Sequence, residues 1–213
     1  MASDDPQRIE LAAAAARLIA EEGCDYGSAK RRAVQELYGA GARVTLPDNA
    51  IVESELRRYL DTFGGERHRQ RLLALRQVAA LLMQRLEQFN PHLVGAVLNG
   101  TATEHSDVHL HLFADSAKDV EMFLLDQGTD FDADEGDDAP GGAEETLRLS
   151  IQPARTRGMP PHVEVVLSVH GMDAIRVAPR HRSSGAGLHP VEALGRANLV
   201  QVRRLIEDSG ASS

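Results

Sequence analysis

The residues best suited to chemistry are an aspartate and two histidines at alternate positions near the middle of the chain. Asp107, His109 and His111 alternate with apolar residues between positions 108 and 112. Successive side chains of a β-strand point to opposite faces, so the polar side chains should project to one side and the apolar ones to the other. Burying an unpartnered polar group costs about 1–3 kcal/mol. We therefore expect this polar row either to be exposed or to bind a ligand.

The elements around this row are predicted from hydrophobic periodicity and from the positions of glycine and proline. A long amphipathic helix over residues 66–89 precedes an apolar strand over 94–98, a turn at 99–101 and the polar-apolar strand at 108–113. The later elements predicted are a helix capped at Ser116, a hairpin loop over the acidic residues 129–145, strands over 146–152 and 162–169, and a helix over 190–207.

The first ninety residues contain further helical patterns. The first helix begins at Pro6 and ends before Gly23, and two more are expected over 26–37 and 48–62. Together these patterns predict an α+β fold: a small mixed β-sheet core with an N-terminal helical region and a C-terminal helix. The expected divisions are residues 1–90, 91–180 and 181–213.

Composition limits the classes of function. The formal net charge of −9 argues against general DNA binding, which depends on neutralising phosphates with lysine and arginine. A single cysteine, Cys24, excludes a disulfide framework and a cysteine-based zinc cluster. The N-terminus resembles no signal peptide, and no apolar run is long enough for a membrane helix. We expect a cytoplasmic protein with no membrane partner, and the arginine and alanine bias suggests a bacterial source.

The order of these elements resembles the minimal core of the DNA polymerase β nucleotidyltransferase superfamily. That family has a Gly-Ser or Gly-Gly turn after its first strand, an Asp-x-Asp or Asp-x-Glu on the second, and a third carboxylate on a later strand. The resemblance covers residues 93–169, but His109 stands where a second carboxylate is usual. The matching residues are Gly100 and Thr101 for the turn, Ser106, Asp107 and His109 for the second strand, and Glu164 for the third acid.

The resemblance implies metal-assisted transfer of a nucleotidyl group from a nucleoside triphosphate to an unknown acceptor, which could be a protein, an RNA or a small molecule. An imidazole in place of a carboxylate favours manganese or zinc over magnesium. The basic residues at 176–182 would meet the acceptor or the phosphates. The implied roles are phosphate binding for Gly100, Thr101 and Ser106, and catalysis and metal binding for Asp107, His109 and Glu164.

Two other interpretations remain open. In the first, the chain keeps the nucleotidyltransferase fold as a non-catalytic module that binds a nucleotide or a partner protein through the same cleft. In the second, the N-terminal helices are a helical adaptor with a partner site over residues 57–71. Metal- and nucleotide-dependent stabilisation followed by label transfer separates the enzyme from the module, since the module binds without transfer. Truncation at Phe89 separates the adaptor from both.

Overall fold

The computed structural model describes residues 6–135, 142–153, 160–177, 183 and 188–210. It confirms the predicted α+β class, with a mixed six-stranded sheet, N-terminal helices and a C-terminal helix. The helices are α1 (Pro6–Glu22), α2 (Tyr26–Tyr38), α3 (Asn49–Tyr59), α4 (Gly65–Arg85), α5 (Gly95–Asn99), α6 (Ala117–Asp126) and α7 (Leu199–Gly210). The strands are β1 (His92–Val94), β2 (Val108–Ala114), β3 (Asp132–Glu135), β4 (Glu145–Ile151), β5 (Val163–Gly171) and β6 (Ala197–Asn198).

Helices α1 to α3 form one hydrophobic cluster, and aspartate side chains fix where two of them begin. Asp25 accepts a hydrogen bond from the backbone N–H of Ser28, and Asp48 accepts one from Ile51, each at 3.0 Å. Such N-caps satisfy backbone donors that have no partner inside the helix. The first helix begins at Pro6, as predicted from the preference of proline for the first helical position.

A second hydrophobic cluster joins helix α4 to one face of the sheet. This is the helix predicted to be amphipathic, and its apolar side includes Leu75, Val78, Leu82 and Met83, all of which are buried. Helices α6 and α7 add Val120, Leu124, Val202 and Leu205 to the same cluster. Helix α4 therefore belongs to the core of the sheet, although it lies within the first ninety residues.

The sheet has the strand order β3-β4-β5-β2-β1-β6. Strand β2 pairs in parallel with β5 and antiparallel with β1, and β4 pairs antiparallel with β5. Leu110 pairs with Leu167, and both point into the helical layer. Because strand side chains alternate, His109 and His111 lie on the other face of the sheet, away from the layer formed by α4, α6 and α7.

Three predicted elements differ in the structure. The apolar run at 94–98 was predicted to be a strand, but β1 ends at Val94 and residues 95–99 form α5 after Gly95 takes a φ of 71°. The predicted loop at 129–145 contains β3, which pairs with β4, and residues 136–141 lie outside the described residues. The predicted helix at 190–207 is interrupted at Gly195, whose φ is 74°, and by β6, so α7 starts only at Leu199.

Within the part of the chain that the structure describes, no helix is both long enough and apolar enough to cross a bilayer.

Candidate functional site

The face of the sheet opposite the helical layer is rich in imidazoles. The register pairs His92 with His111 across β1 and β2, and Phe113 with His170 across β2 and β5. Paired residues point to the same face, so His109, two residues before His111, lies on this face as well. We call this surface the open face, defined by His92, His109, His111, Phe113 and His170.

Four of these side chains form a compact ring cluster. The ring centroids of His111 and His170 are 4.4 Å apart, and those of Phe113 and His170 are 5.6 Å apart. The ring of His92 meets Phe113 edge-on at 5.5 Å, and the guanidinium of Arg196 lies 5.2 Å from the centroid of Phe113. Arg196 also donates to the carbonyls of residues 175 and 177, which fixes the guanidinium over the ring.

Burial favours the neutral form of the His92, His109 and His111 imidazoles by lowering their pKa values. Burial, followed by the neighbouring His170 and Arg196, lowers the pKa of His111 from 6.5 to about 3. Burial also lowers the pKa of His109, with Asp107 opposing the shift and Arg148 adding to it. A neutral imidazole can donate at one nitrogen and accept at the other, so the partly exposed rings of His109 and His111 can form directional hydrogen bonds with a ligand.

The two predicted carboxylates lie at the start of the parallel strands. The β2-β5 ladder begins at Val108 and Val165, so Asp107 and Glu164 immediately precede it. Glu164 is on the same face as His109, and its carboxylate accepts a hydrogen bond from the hydroxyl of Ser150 at 2.7 Å. The charge of Asp107 lies near the His109 imidazole and opposes the lowering of its pKa by burial.

Asp107, His109 and Glu164 are the residues that the resemblance assigns to a metal ion. Among the described residues no group of three or more histidine, cysteine, aspartate or glutamate side chains is placed to hold an ion. Asp107, His109 and Glu164 therefore share one end of the open face without forming a metal cage. A divalent ion brought in by a nucleotide would have to be held by the phosphates as well as by these side chains.

The predicted phosphate turn has a different structural role. Thr101 is only 2% exposed, and its hydroxyl donates to the side chain of Asn99 at 2.7 Å. The carbonyls at the end of α5 accept hydrogen bonds from Arg57, His68 and Arg76. The turn thus presents carbonyl oxygens to cationic and imidazole donors, which is the opposite of what a phosphate needs. The phosphate-binding role of Gly100 and Thr101 stays a prediction, and in this structure the Thr101 hydroxyl is already bonded within the turn.

Ser106 is also occupied by its own loop. Its hydroxyl oxygen accepts a hydrogen bond from the backbone N–H of Thr103 at 2.9 Å, and this bond closes the loop ahead of β2. The glycine that actually follows the first strand is Gly95, where an added Cβ would lie 3.9 Å from the Cβ of His109. Sequence reasoning missed this glycine because the apolar residues after it resemble a strand.

Other contributors to this face were also missed. Arg148, whose guanidinium donates to Asp134 at 3.0 Å, belongs to the open face because it pairs with Val166. His92 and His170 gave no signal in the sequence because single histidines carry no pattern. Of the basic residues expected to meet phosphates, Arg176 ends a short 3₁₀-helix, and residues 178–182 lie outside the described residues.

Comparison of the chain with protein-family models, with curated proteins and with solved structures finds no match.

Proposed function

We propose that the open face binds a nucleotide, as a module that keeps a nucleotidyltransferase-like sheet. The observation that carries this proposal is the register of β4, β5 and β2, which gathers imidazole rings, Arg148 and Glu164 on one face, with Asp107 directly before β2. The resemblance described above supplies the nucleotide as the ligand class. The proposal uses no resident metal, because the described donor set does not form a metal cage.

The chemistry of the face suits the two ends of a nucleotide. Rings stack on nucleobases, with a contribution of about 1–3 kcal/mol per base. Phe113 and His170 are buried, so the partly exposed rings of His92 and His111 are the ones that would stack on a base. Neutral His109 can also form hydrogen bonds with the edge of a base. The exposed guanidinium of Arg148 can exchange its carboxylate partner, Asp134, for a phosphate, since arginine binds both anions with the same planar donors.

Nucleotidyl transfer is the second candidate, and one observation favours it. Asp107 and Glu164 lie at the same end of adjoining parallel strands, where the resemblance expects carboxylates. In that chemistry a divalent ion neutralises the phosphates during an in-line displacement. His109 replaces the carboxylate that would normally complete the ion's ligands.

The test combines binding with label transfer. Each of the four nucleoside triphosphates is titrated into the protein with magnesium, with manganese and without metal, and transfer of an α-phosphate label is measured in parallel. The variants are Asp107→Ala, His109→Asp and Arg148→Glu. Asp115→Ala removes an exposed carboxylate just beyond the other end of β2 and is the matched control.

The outcomes separate the hypotheses. Saturable binding that Arg148→Glu weakens and Asp115→Ala leaves unchanged, with no transfer, supports the module. Transfer by the wild type that Asp107→Ala abolishes establishes an enzyme, and transfer only by His109→Asp identifies a site that has lost its metal ligand. No binding of any nucleotide by any variant would overturn both proposals and leave the helical adaptor.

A further inference from the structure

The helical layer on the other side of the sheet contains an open apolar groove. It lies between α4 and α7, has a volume of about 860 Å³ and is independent of the open face. The apolar lining includes Val78, Leu81 and Leu82 of α4, Ile206 of α7 and Ile151 at the end of β4. Leu81 lines the groove and is 65% exposed, so a large apolar side chain of the groove is in contact with solvent.

The charge of this groove is unlike that of the chain. The sequence has 32 acidic and 23 basic residues, yet the charged residues that line the groove are Arg85 and Arg203 and none is acidic. Arg203 donates to the amide oxygen of Gln84 at 3.0 Å, and within the described part of the chain neither guanidinium is paired with a carboxylate. An apolar floor between two such arginines fits an amphipathic helix that carries acidic residues.

Helix α6 of this same chain has that character. Its exposed apolar side chains are Met122 and Leu125, which are 64% and 62% exposed and lie three residues apart on one side of the helix. Asp119 and Asp126 are exposed beside them. Lys118 is exposed on this side as well, so the exposed side of α6 is apolar and carries a net negative charge.

The arrangement of α4, α6 and α7 allows each of two copies to place its α6 in the α4-α7 groove of the other. A second cavity, of about 320 Å³, lies between α4 and α6 and shares Leu82 and Arg85 with the groove, so α4 lies between α7 and α6 on the layer. A two-fold axis passing near α4 would bring each α6 onto the α4-α7 groove of the other copy. The open stretch of α4 from Gln77 to Arg85 is about 12 Å long, which matches the two to three turns of α6.

We propose that the groove between α4 and α7 receives helix α6 of a second copy, so that two copies associate through their helical layers. Met122 and Leu125 then cover Leu81, and the aspartates of α6 lie next to Arg85 and Arg203. Each pair of copies makes this contact twice, as a two-fold interface requires.

The test measures mass against concentration by sedimentation or light scattering. Leu81→Asp places a charge in the groove, and the double variant Met122→Asp/Leu125→Asp places charges on the helix. We expect the wild type to be a dimer, and each variant to dissociate at concentrations at least ten times higher than the wild type does. Val200→Asp is the matched control, because Val200 is 75% exposed on α7 but does not line the groove, and its mass should follow the wild type.

Mixing the two variants gives the decisive measurement. A mixed pair keeps one intact groove facing one intact helix, so the mixture should associate more strongly than either variant alone. Thermal melts of each variant exclude unfolding as the cause of dissociation. A wild type that stays monomeric at 100 µM and above, a dimer that Leu81→Asp does not weaken, or a mixture that behaves as the sum of its parts would each overturn the proposal.

Discussion

Acidification should destabilise the protein because the imidazole of His111 is held neutral. Burial is the main reason that the pKa of His111 is about 3 in the folded chain. In the unfolded chain the same side chain titrates near 6.5. Between these two values only the unfolded state binds the proton, so folding stability is fully present above pH 6.5 and is lost as the pH falls below it.

The size of this loss follows from the difference between the two pKa values. Each unit of pH below the unfolded pKa costs about 1.4 kcal/mol until the folded pKa is reached. At pH 5 the loss from His111 is therefore about 2 kcal/mol, a large part of the roughly 5–15 kcal/mol that stabilises a typical domain. Burial lowers the pKa of His92 and of His109 as well, so both add to the loss in the same direction.

The assay is urea unfolding of the wild type and of His111→Phe between pH 5 and pH 8.5. Phenylalanine keeps a ring beside His170 and removes the titrating group. The variant should lose about 2 kcal/mol less than the wild type between pH 7 and pH 5. Between pH 7.5 and 8.5 the difference between the two proteins should stay constant, because His111 is then neutral in both states. Equal losses on acidification would refute the reasoning.

Three further changes should each lower the free energy of unfolding, measured by urea denaturation. Arg76→Met breaks a buried ion pair with Glu192 and should cost about 3–5 kcal/mol, so a loss below about 1 kcal/mol would contradict this account of the α5 terminus. Gly95→Ala adds a Cβ to a residue whose backbone φ is 71°, which is unfavourable for alanine, and should cost about 1–2 kcal/mol. An unchanged stability would show that the turn relaxes. Ser116→Ala removes the hydroxyl oxygen that accepts a hydrogen bond from the N–H of Lys118 at the start of α6, and it should cost about 1 kcal/mol. An unchanged free energy of unfolding would contradict this capping role.

The periodic elements were predictable because their own residues determine them. The period of two at residues 108–113 predicted β2 and separated the polar from the apolar face, and the buried stripe of α4 followed from helical spacing. Capping at Ser116 and the start at Pro6 depend on chemistry within one or two turns. Each of these signals acts locally, so no distant partner was needed to interpret it.

The candidate site was predicted only in part. Alternation along β2 and β5 correctly placed His109 and Glu164 on strands, but it could not indicate that these strands are adjacent and parallel. The pairing of β2 with β5 depends on tertiary structure, and it brings the ring centroids of His170 and His111 to 4.4 Å from each other. The pairing of β4 with β5 then adds Arg148 to the same face. Isolated residues of this kind acquire a role only from neighbours that are distant in the sequence.

The apolar run at 94–98 shows most clearly where local information ends. Five apolar or small residues suit a buried strand and a buried helix equally, and no local signal separates the two. The structure forms a helix there because Arg57, His68 and Arg76, all more than twenty residues before the turn, donate to the carbonyls at its end. The sequence by itself determined the class of fold, the packed and open faces of β2 and the helices that cover the sheet. Tertiary contacts decided whether this run is helix or strand, since the hydrogen bonds that stabilise it come from elsewhere in the chain.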